Sequence, residues 1–345
     1  MNQPALIMEI ILAGLIALYV VRITITFVVC QSFFSSRDGS DASMDHTIRV
    51  SVIKPIWGLD ENALDNFRSF CEQDYPGPYE IIFCAENRND PCIPVIRKVI
   101  RAYPGKDIRL TFSDPEDKRW FGKVKNMIAG LDESKYEVIV FSDSDVSVSN
   151  TFIRQVAGSL MDRETGLVYC PPVSSGARDW KAAMLNMAVN ENTMNVILLH
   201  RLGTSAEAVG TTMALRREVI EKVGGLEPIG RQVTDDLPLA RAVHKQGYKI
   251  RLLNEPVRVF HPHDTFTGWW KHMVRWMVMI RRYMPLTAWA GILDMPLLLS
   301  LVFWGIARNV PAGIVLTGTV LLVRLCYTVL VHRIFLQENL LLLFL

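Results

Sequence analysis

The sequence predicts an α/β domain with a mostly parallel sheet, transmembrane helices at both ends of the chain, and an interfacial amphipathic helix between the domain and the last spans. Three observations predict it. Half of the 345 residues are hydrophobic, and they gather at the two ends. The middle alternates apolar strand-like runs with helical stretches. Charge is nearly balanced, Lys+Arg 37 against Asp+Glu 35 for a net +2, with charged residues at 21%. Such a composition excludes a disordered chain, and the lack of a basic excess argues against a nucleic-acid partner.

Residues 1–34 read as an N-terminal anchor, because the apolar run Pro4–Phe34 exceeds the roughly 20 residues that span a bilayer. No small-residue cleavage site follows it, so an uncleaved anchor is expected rather than a signal peptide. Arg22, inside the run, is expected near the headgroups or paired within the membrane. Residues 49–263 form the α/β domain. Its strands are expected at Val50–Ile56, Tyr79–Ala85, Ile108–Phe112 and Val138–Phe141. The intervening helices are expected at Glu61–Gln73, Pro94–Tyr103 and Val124–Leu131, and a later one at Leu237–Lys245. Residues 264–285 form the interface helix, where Phe266, Trp269, Trp270, Met273, Val274, Met277 and Ile280 share a face and Lys271, Arg275, Arg281 and Arg282 are mixed in. Residues 286–345 read as spans over Leu286–Ala307 and Val310–Val331, then a half-length run from Ile334 to Leu345 that makes the C-terminal region look incomplete.

Six cysteines show neither a CxxC pair nor metal-ligand spacing. They are expected as buried thiols in a reducing compartment, which turns the soluble domain towards the cytoplasm. No GxGxxG follows the first strand and no GxxxxGK[ST] occurs, so neither a dinucleotide fold nor a P-loop is signalled.

Ligands of open α/β sheets bind beyond the carboxyl ends of the strands. Asp143-Ser144-Asp145 directly follows the apolar run Val-Ile-Val-Phe. Two carboxylates two residues apart at a strand end point to one side, where they can share a Mg²⁺ or Mn²⁺ and leave positions open for phosphate oxygens. Asp90 in Asn-Asp-Pro can accept bonds from a base or ribose, or simply make a turn. Lys123 and Asn126 can reach a diphosphate or sugar hydroxyl, or form a solvated helix face. Of Asp235 and Asp236 at a helix start, one suits a cap and the other a general base. His261, after an apolar run, is a possible third metal ligand, whereas His263 reads as a surface or packing residue. His272-Met-Val-Arg275-Trp276 places a cation and an aromatic at the mouth of the site.

These residues, in this order, resemble a family-2-type glycosyltransferase of the GT-A fold, closest to ceramide glucosyltransferases and their bacterial relatives. The family's Asp after the second strand falls on Asp90, its motif after the fourth on Asp143 and Asp145, its third Asp on Asp236, and its terminal xxRW on Arg275-Trp276. Its Lys-x-x-Asn segment falls on Lys123 and Asn126. His272 departs from the family's usual Gln or Arg at the first xxRW position. The resemblance implies an inverting transferase that moves a hexose, with glucose expected, from a UDP-sugar to a membrane-lipid hydroxyl, with ceramide expected. Asp143 and Asp145, with His261, would hold the divalent cation. Asp90, Lys123, Asn126, Asp143 and Arg275 would bind the donor. Trp276, His272 and Asp235 would line the sugar or acceptor, and Asp236 would be the base. The alternatives are a hopanoid or glycerolipid glycosyltransferase, or a membrane-anchored nucleotide-sugar binder without catalysis.

Overall fold

The computed structural model describes residues 3–36, 48–117, 119–120, 122–177, 179–203, 208–232, 234–260, 266–283, 295–307 and 310–336. They fall into two compact units. One comprises Ser36–Arg178 and Ala188–His263, and the other Met1–Ser35, Asp179–Met187 and Asp264–Leu345. The expected 49–263 domain is therefore interrupted, because residues 179–187 group with the terminal helices.

The first unit is built on a seven-stranded sheet. Its strands are β1 (Val50–Ile56), β2 (Tyr79–Ala85), β3 (Asp107–Phe112), β4 (Val138–Ser142), β6 (Thr165–Tyr169), β8 (Thr212–Arg216) and β9 (Lys249–Leu252), in the order β3-β2-β1-β4-β8-β6-β9. Only β8 runs against its neighbours β4 and β6, and the other pairings are parallel. A second sheet joins β5 (Val146–Ser147), β10 (Val257–Val259) and β7 (Pro172–Ser174). Strands buried on both faces read as mostly apolar runs, and every residue of β1, β4, β6 and β8 is buried. Pro55 is admitted to β1 because pairing with β4 covers only Val50–Ile53, so the strand has one neighbour at that point.

The helices of this unit are α2 (Ala63–Cys71), α3 (Ile93–Ala102), α4 (Gly122–Glu133), α5 (Phe152–Leu160), α7 (Arg217–Lys222), α8 (Asp236–Lys245) and the later part of α6 (Trp180–Arg201). Alternation along the strands divides the core between the two faces. Val52, Ile81 and Phe83 pack with Phe67 and Phe70 of α2, Ile96 of α3 and Phe152 of α5. The other face takes α4. There Gly130 lies so close to the sheet that a Cβ would stand 2.4 Å from Ile53 Cγ2 and 2.7 Å from Cys84 Sγ. This close approach sets where the first turn of α4 emerges above the strand ends.

The second unit contains α1 (Gln3–Ser35), the start of α6, α9 (Phe266–Tyr283), α10 (Pro296–Ala307) and α11 (Val310–Val331), the last continuing into a π-turn over His332–Leu336. Two stretches, Ile7–Ser35 and Pro311–Leu336, are long and apolar enough to cross a membrane, and Pro296–Ile306 is a shorter apolar helix. Leu12 and Ile16 of α1 pack with Leu299 and Val320. Arg324 donates to the Tyr19 hydroxyl at 3.3 Å and Arg22 lies over the Tyr19 ring at 5.6 Å, so both spans carry their cations against one tyrosine. The expected beginning of the Leu286 span and its Arg308-Asn309 break lie outside the described residues.

Candidate active site

From β1 the chain steps outward through β2 to β3 and then returns to the other side of β1 as β4. The carboxyl ends of β1 and β4 therefore flank the topological switch point, where open α/β sheets form their ligand crevice. Asp143-Ser144-Asp145 is the turn leaving β4 there, and the pairing of β5 with β10 holds its far side. Ser144 Oγ donates to Asp60 Oδ2 at 2.7 Å and Asn66 Nδ2 donates to Ser144 O at 3.4 Å, which fixes the turn to the segment after β1.

Lys123, on the first turn of α4, joins the acids. Its Nζ lies 2.8 Å from Asp143 Oδ1 and 2.9 Å from Asp235 Oδ2, and donates to Gly210 O at 3.2 Å. Burial alone would lower the Lys123 pKa, but Asp143 and Asp235 outweigh it and hold the ammonium charged. Gly210 also faces Asp236, because its N–H donates to Asp236 Oδ2 at 2.9 Å. Asp236 Oδ1 accepts from the Thr234 hydroxyl and from Leu237 N at 2.7 Å. Desolvation, followed by the charge of Asp235, raises the Asp236 pKa above the ordinary carboxylate range. Lys123, Asp143, Asp235 and Asp236 are thus brought into one cluster, although they come from three separate segments.

The acid turn has the donor chemistry of a hard-cation site. Desolvation, reinforced by Asp143 and Asp60, pushes Asp145 up to about 7. Its Oδ1 is buried without a hydrogen-bond partner among the described residues. An orphaned carboxylate oxygen beside a second carboxylate fits a divalent ion. No group of three His, Cys, Asp or Glu side chains converges on one metal position among the described residues. His261 and His263 lie outside them. Phe260 N, one residue earlier in the chain, donates to Asp145 O at 3.4 Å.

Two residues expected at the donor are buried and bonded within the protein. Asn126 is buried, its Oδ1 accepting from Ser113 Oγ at 2.6 Å and its Nδ2 donating to Ile56 O at 3.1 Å. The amide is a strut between the ends of β1 and β3. Asp90 is also buried, with Oδ2 accepting from Gly58 N and Oδ1 from Cys92 N, both at 2.8 Å. It ties the segment after β1 to the turn after β2. His272, Arg275 and Trp276 lie on α9 in the other unit. Arg275 is exposed and Trp276 half-buried, and the His272 side chain is outside the described set.

Three residues here were not singled out from the sequence. Trp57, just beyond β1, is 93% exposed, an indole held out beside the Asp90–Gly58 bond. Lys54 is fully buried beneath the acid turn, donating to Asp143 O at 2.8 Å and Ser142 Oγ at 3.2 Å, with Nζ 3.9 Å from the Phe70 ring centroid. Burial outweighs Asp143, Asp145 and Asp60 and lowers its pKa to about 7. Its signal was present: a lysine inside the mostly apolar run Val-Ser-Val-Ile-Lys-Pro-Ile. Gly210 carried no such signal.

Known proteins are similar to this chain. The profile of Glycosyl transferase family 21 matches residues 10–345. Ceramide glucosyltransferase 3 of Caenorhabditis elegans is 24% identical over 229 residues, 66% of this chain and 50% of that protein. The ceramide glucosyltransferase of Komagataella phaffii is 38% identical over 102 residues, 29% of this chain and 20% of its own length. The chain spans about half the length of the first of these relatives. Among solved structures, the mannosyltransferase PcManGT of Pyrobaculum calidifontis, in complex with GDP-Man and Mn²⁺, superposes with a TM-score of 0.60 over 96% of this chain and 97% of that one, at 17% identity. That similarity shows a common fold, the GT-A architecture. With its family profile matched almost end to end, the chain belongs to glycosyl transferase family 21.

Proposed function

We propose that the protein is an inverting glycosyltransferase that moves a hexose, glucose in the first instance, from a UDP-sugar to the hydroxyl of a membrane lipid of the ceramide class. The observation that carries this reading is the Lys123 bridge, which sets the acid turn of β4 beside the Asp235-Asp236 pair at the switch point. The ceramide glucosyltransferase relatives support the acceptor class.

Trp57 offers its exposed face to the nucleoside base, and Asp90 serves the donor by fixing Gly58 beside it. Asp143 and Asp145, with His261, would hold a divalent cation. Such a cation supplies charge neutralisation for the leaving diphosphate. By the xxRW motif, Arg275 would meet phosphate oxygens, and Trp276 with His272 would serve the sugar or acceptor. Asp236 accepts the acceptor's hydroxyl proton. The hydroxyl oxygen bonds to the anomeric carbon from the face opposite the diphosphate, and the bond from that carbon to the diphosphate oxygen breaks, releasing UDP. Asp236 suits this role, because three donors orient its carboxylate, Oδ2 keeps a lone pair, and desolvation moves its pKa towards neutrality. Asp235, engaged by Lys123, is the supporting acid.

The test is to incubate purified protein with UDP- and GDP-sugars and a panel of ceramide, hopanoid and diacylglycerol acceptors, reading products by mass spectrometry. Glucosylated ceramide is the expected product. A glycosylated hopanoid or diacylglycerol would replace the acceptor assignment, and binding without any product would replace catalysis with a nucleotide-sugar-binding role.

A further inference from the structure

We infer that Gly210 is a positioning residue for the general base. Its peptide stretch is gripped from three directions. Lys123 Nζ donates to Gly210 O at 3.2 Å, Gly210 N donates to Asp236 Oδ2 at 2.9 Å, and Asp143 N donates to the next carbonyl, Thr211 O, at 3.0 Å. The stretch 210–211 therefore links the backbone of the acid turn to the carboxylate of Asp236.

What is tight at this glycine is space, not backbone conformation. It is absent from the glycines with positive φ, so an L residue can take up its backbone conformation. A Cβ at this position would stand 3.1 Å from Asp236 Cβ, 3.1 Å from Asp236 Oδ2 and 3.3 Å from Asp236 Cγ, and these are its three nearest atoms. A methyl group would thus press on one side chain, the base, and on the oxygen that Gly210 N–H holds. Gly158, in α5, has nothing within 4 Å of its Cβ position and serves as the comparison.

The inference rests on Asp236 being the base, and the experiment separates the two ideas. In the full chain, with UDP-glucose and a short-chain ceramide, Gly210→Ala should lower kcat about 10–10²-fold, the scale of a small misplacement of a reacting group. KM for UDP-glucose should stay close to that of Gly158→Ala, and the melting temperature close to that of the unchanged protein. A purely structural role would instead move the melting temperature and both kinetic constants together. In an Asp236→Asn background the Gly210→Ala change should add no further loss of kcat, and additive losses would overturn the inference. If Gly210→Ala fails to fold, Gly210→Ala/Asp236→Gly should restore folding by making room for the methyl group, and failure to restore it would also overturn the inference. An inactive Asp236→Asn beside a fully active Gly210→Ala would remove the positioning role and leave the base in place. A fully active Asp236→Asn would remove the base itself.

Discussion

At the residue scale, the two neighbouring acids at the start of α8 differ in what surrounds them. Asp235 is committed to the Lys123 ammonium, whereas Asp236 is oriented by neutral donors. Asp236→Asn keeps the shape and cannot take a proton at neutral pH. Turnover should fall by about 10²–10⁴-fold with UDP affinity little changed, measured by initial rates and calorimetric titration. Asp235→Asn should have a smaller effect on turnover, and the reverse pattern would exchange their roles. The orphaned Oδ1 of Asp145 makes a second prediction. Excess EDTA should abolish transfer, added Mn²⁺ should restore it, and Asp145→Ala should remain inactive with Mn²⁺ present. Full activity in EDTA would reduce the acid turn to a structural feature. Asp143, Asp145, Asp235 and Asp236 were legible as an acid pattern. The commitments of Asn126 to Ser113 and Ile56 were not, because a side-chain amide's partners depend on which strand ends stand beside it.

At the element scale, α9 carries an exposed apolar stripe. Trp270, Val274, Met277 and Val278, at positions i, i+4, i+7 and i+8, are all exposed, alongside exposed Lys271, Arg281 and Arg282. An apolar face bordered by cations suits the headgroup region of a membrane. Trp270→Ser/Met277→Ser should reduce transfer to long-chain ceramide far more than to a short-chain analogue, since only the former must arrive through a bilayer. Equal losses on both would make α9 a support of the catalytic unit instead. The thiols of the sheet and its helices give another expected outcome. Burial pushes Cys71 and Cys92 up to about 12 and raises Cys84 and Cys170 as well. At pH 8 all four should resist iodoacetamide in the native protein and react on denaturation, read by peptide mass spectrometry. The strands beneath these thiols were legible, β1 and β2 residue for residue, because burial on both faces writes a mostly apolar run bounded by turn residues. The helix Trp180–Arg201 was not picked out. Its polar residues Asn186, Asn190 and Thr193 are buried, and the last two bond to Ser174 and Pro172 of β7, so the pattern of one polar and one apolar face is lost.

At the scale of the whole molecule, the apolar ends and the α/β middle make different demands on solvent. If UDP-sugar is the donor, the α/β unit must face the compartment that supplies it, the cytoplasm. A cysteine placed at exposed Lys98 should therefore be modified by an impermeant maleimide only after the membrane is opened from the cytoplasmic side. Labelling of intact cells or right-side-out vesicles would reverse the orientation.

Composition and pattern alone determined the class of this protein: apolar helices at both ends, strands alternating with helices between them, and acids placed after the second and fourth strands. Those features are local, because hydrophobic run length and strand-end position are properties of contiguous residues. Tertiary structure decided which groups meet. Lys123 reaches Asp143 and Asp235 only because Gly130 lets α4 lie against β1 and β2. Gly210 reaches Asp236 only because β8 runs antiparallel beside β4 and brings residues 210–211 back to the acid turn. Such encounters depend on chain crossings about 20 to 110 residues long, and no spacing in the sequence encodes them.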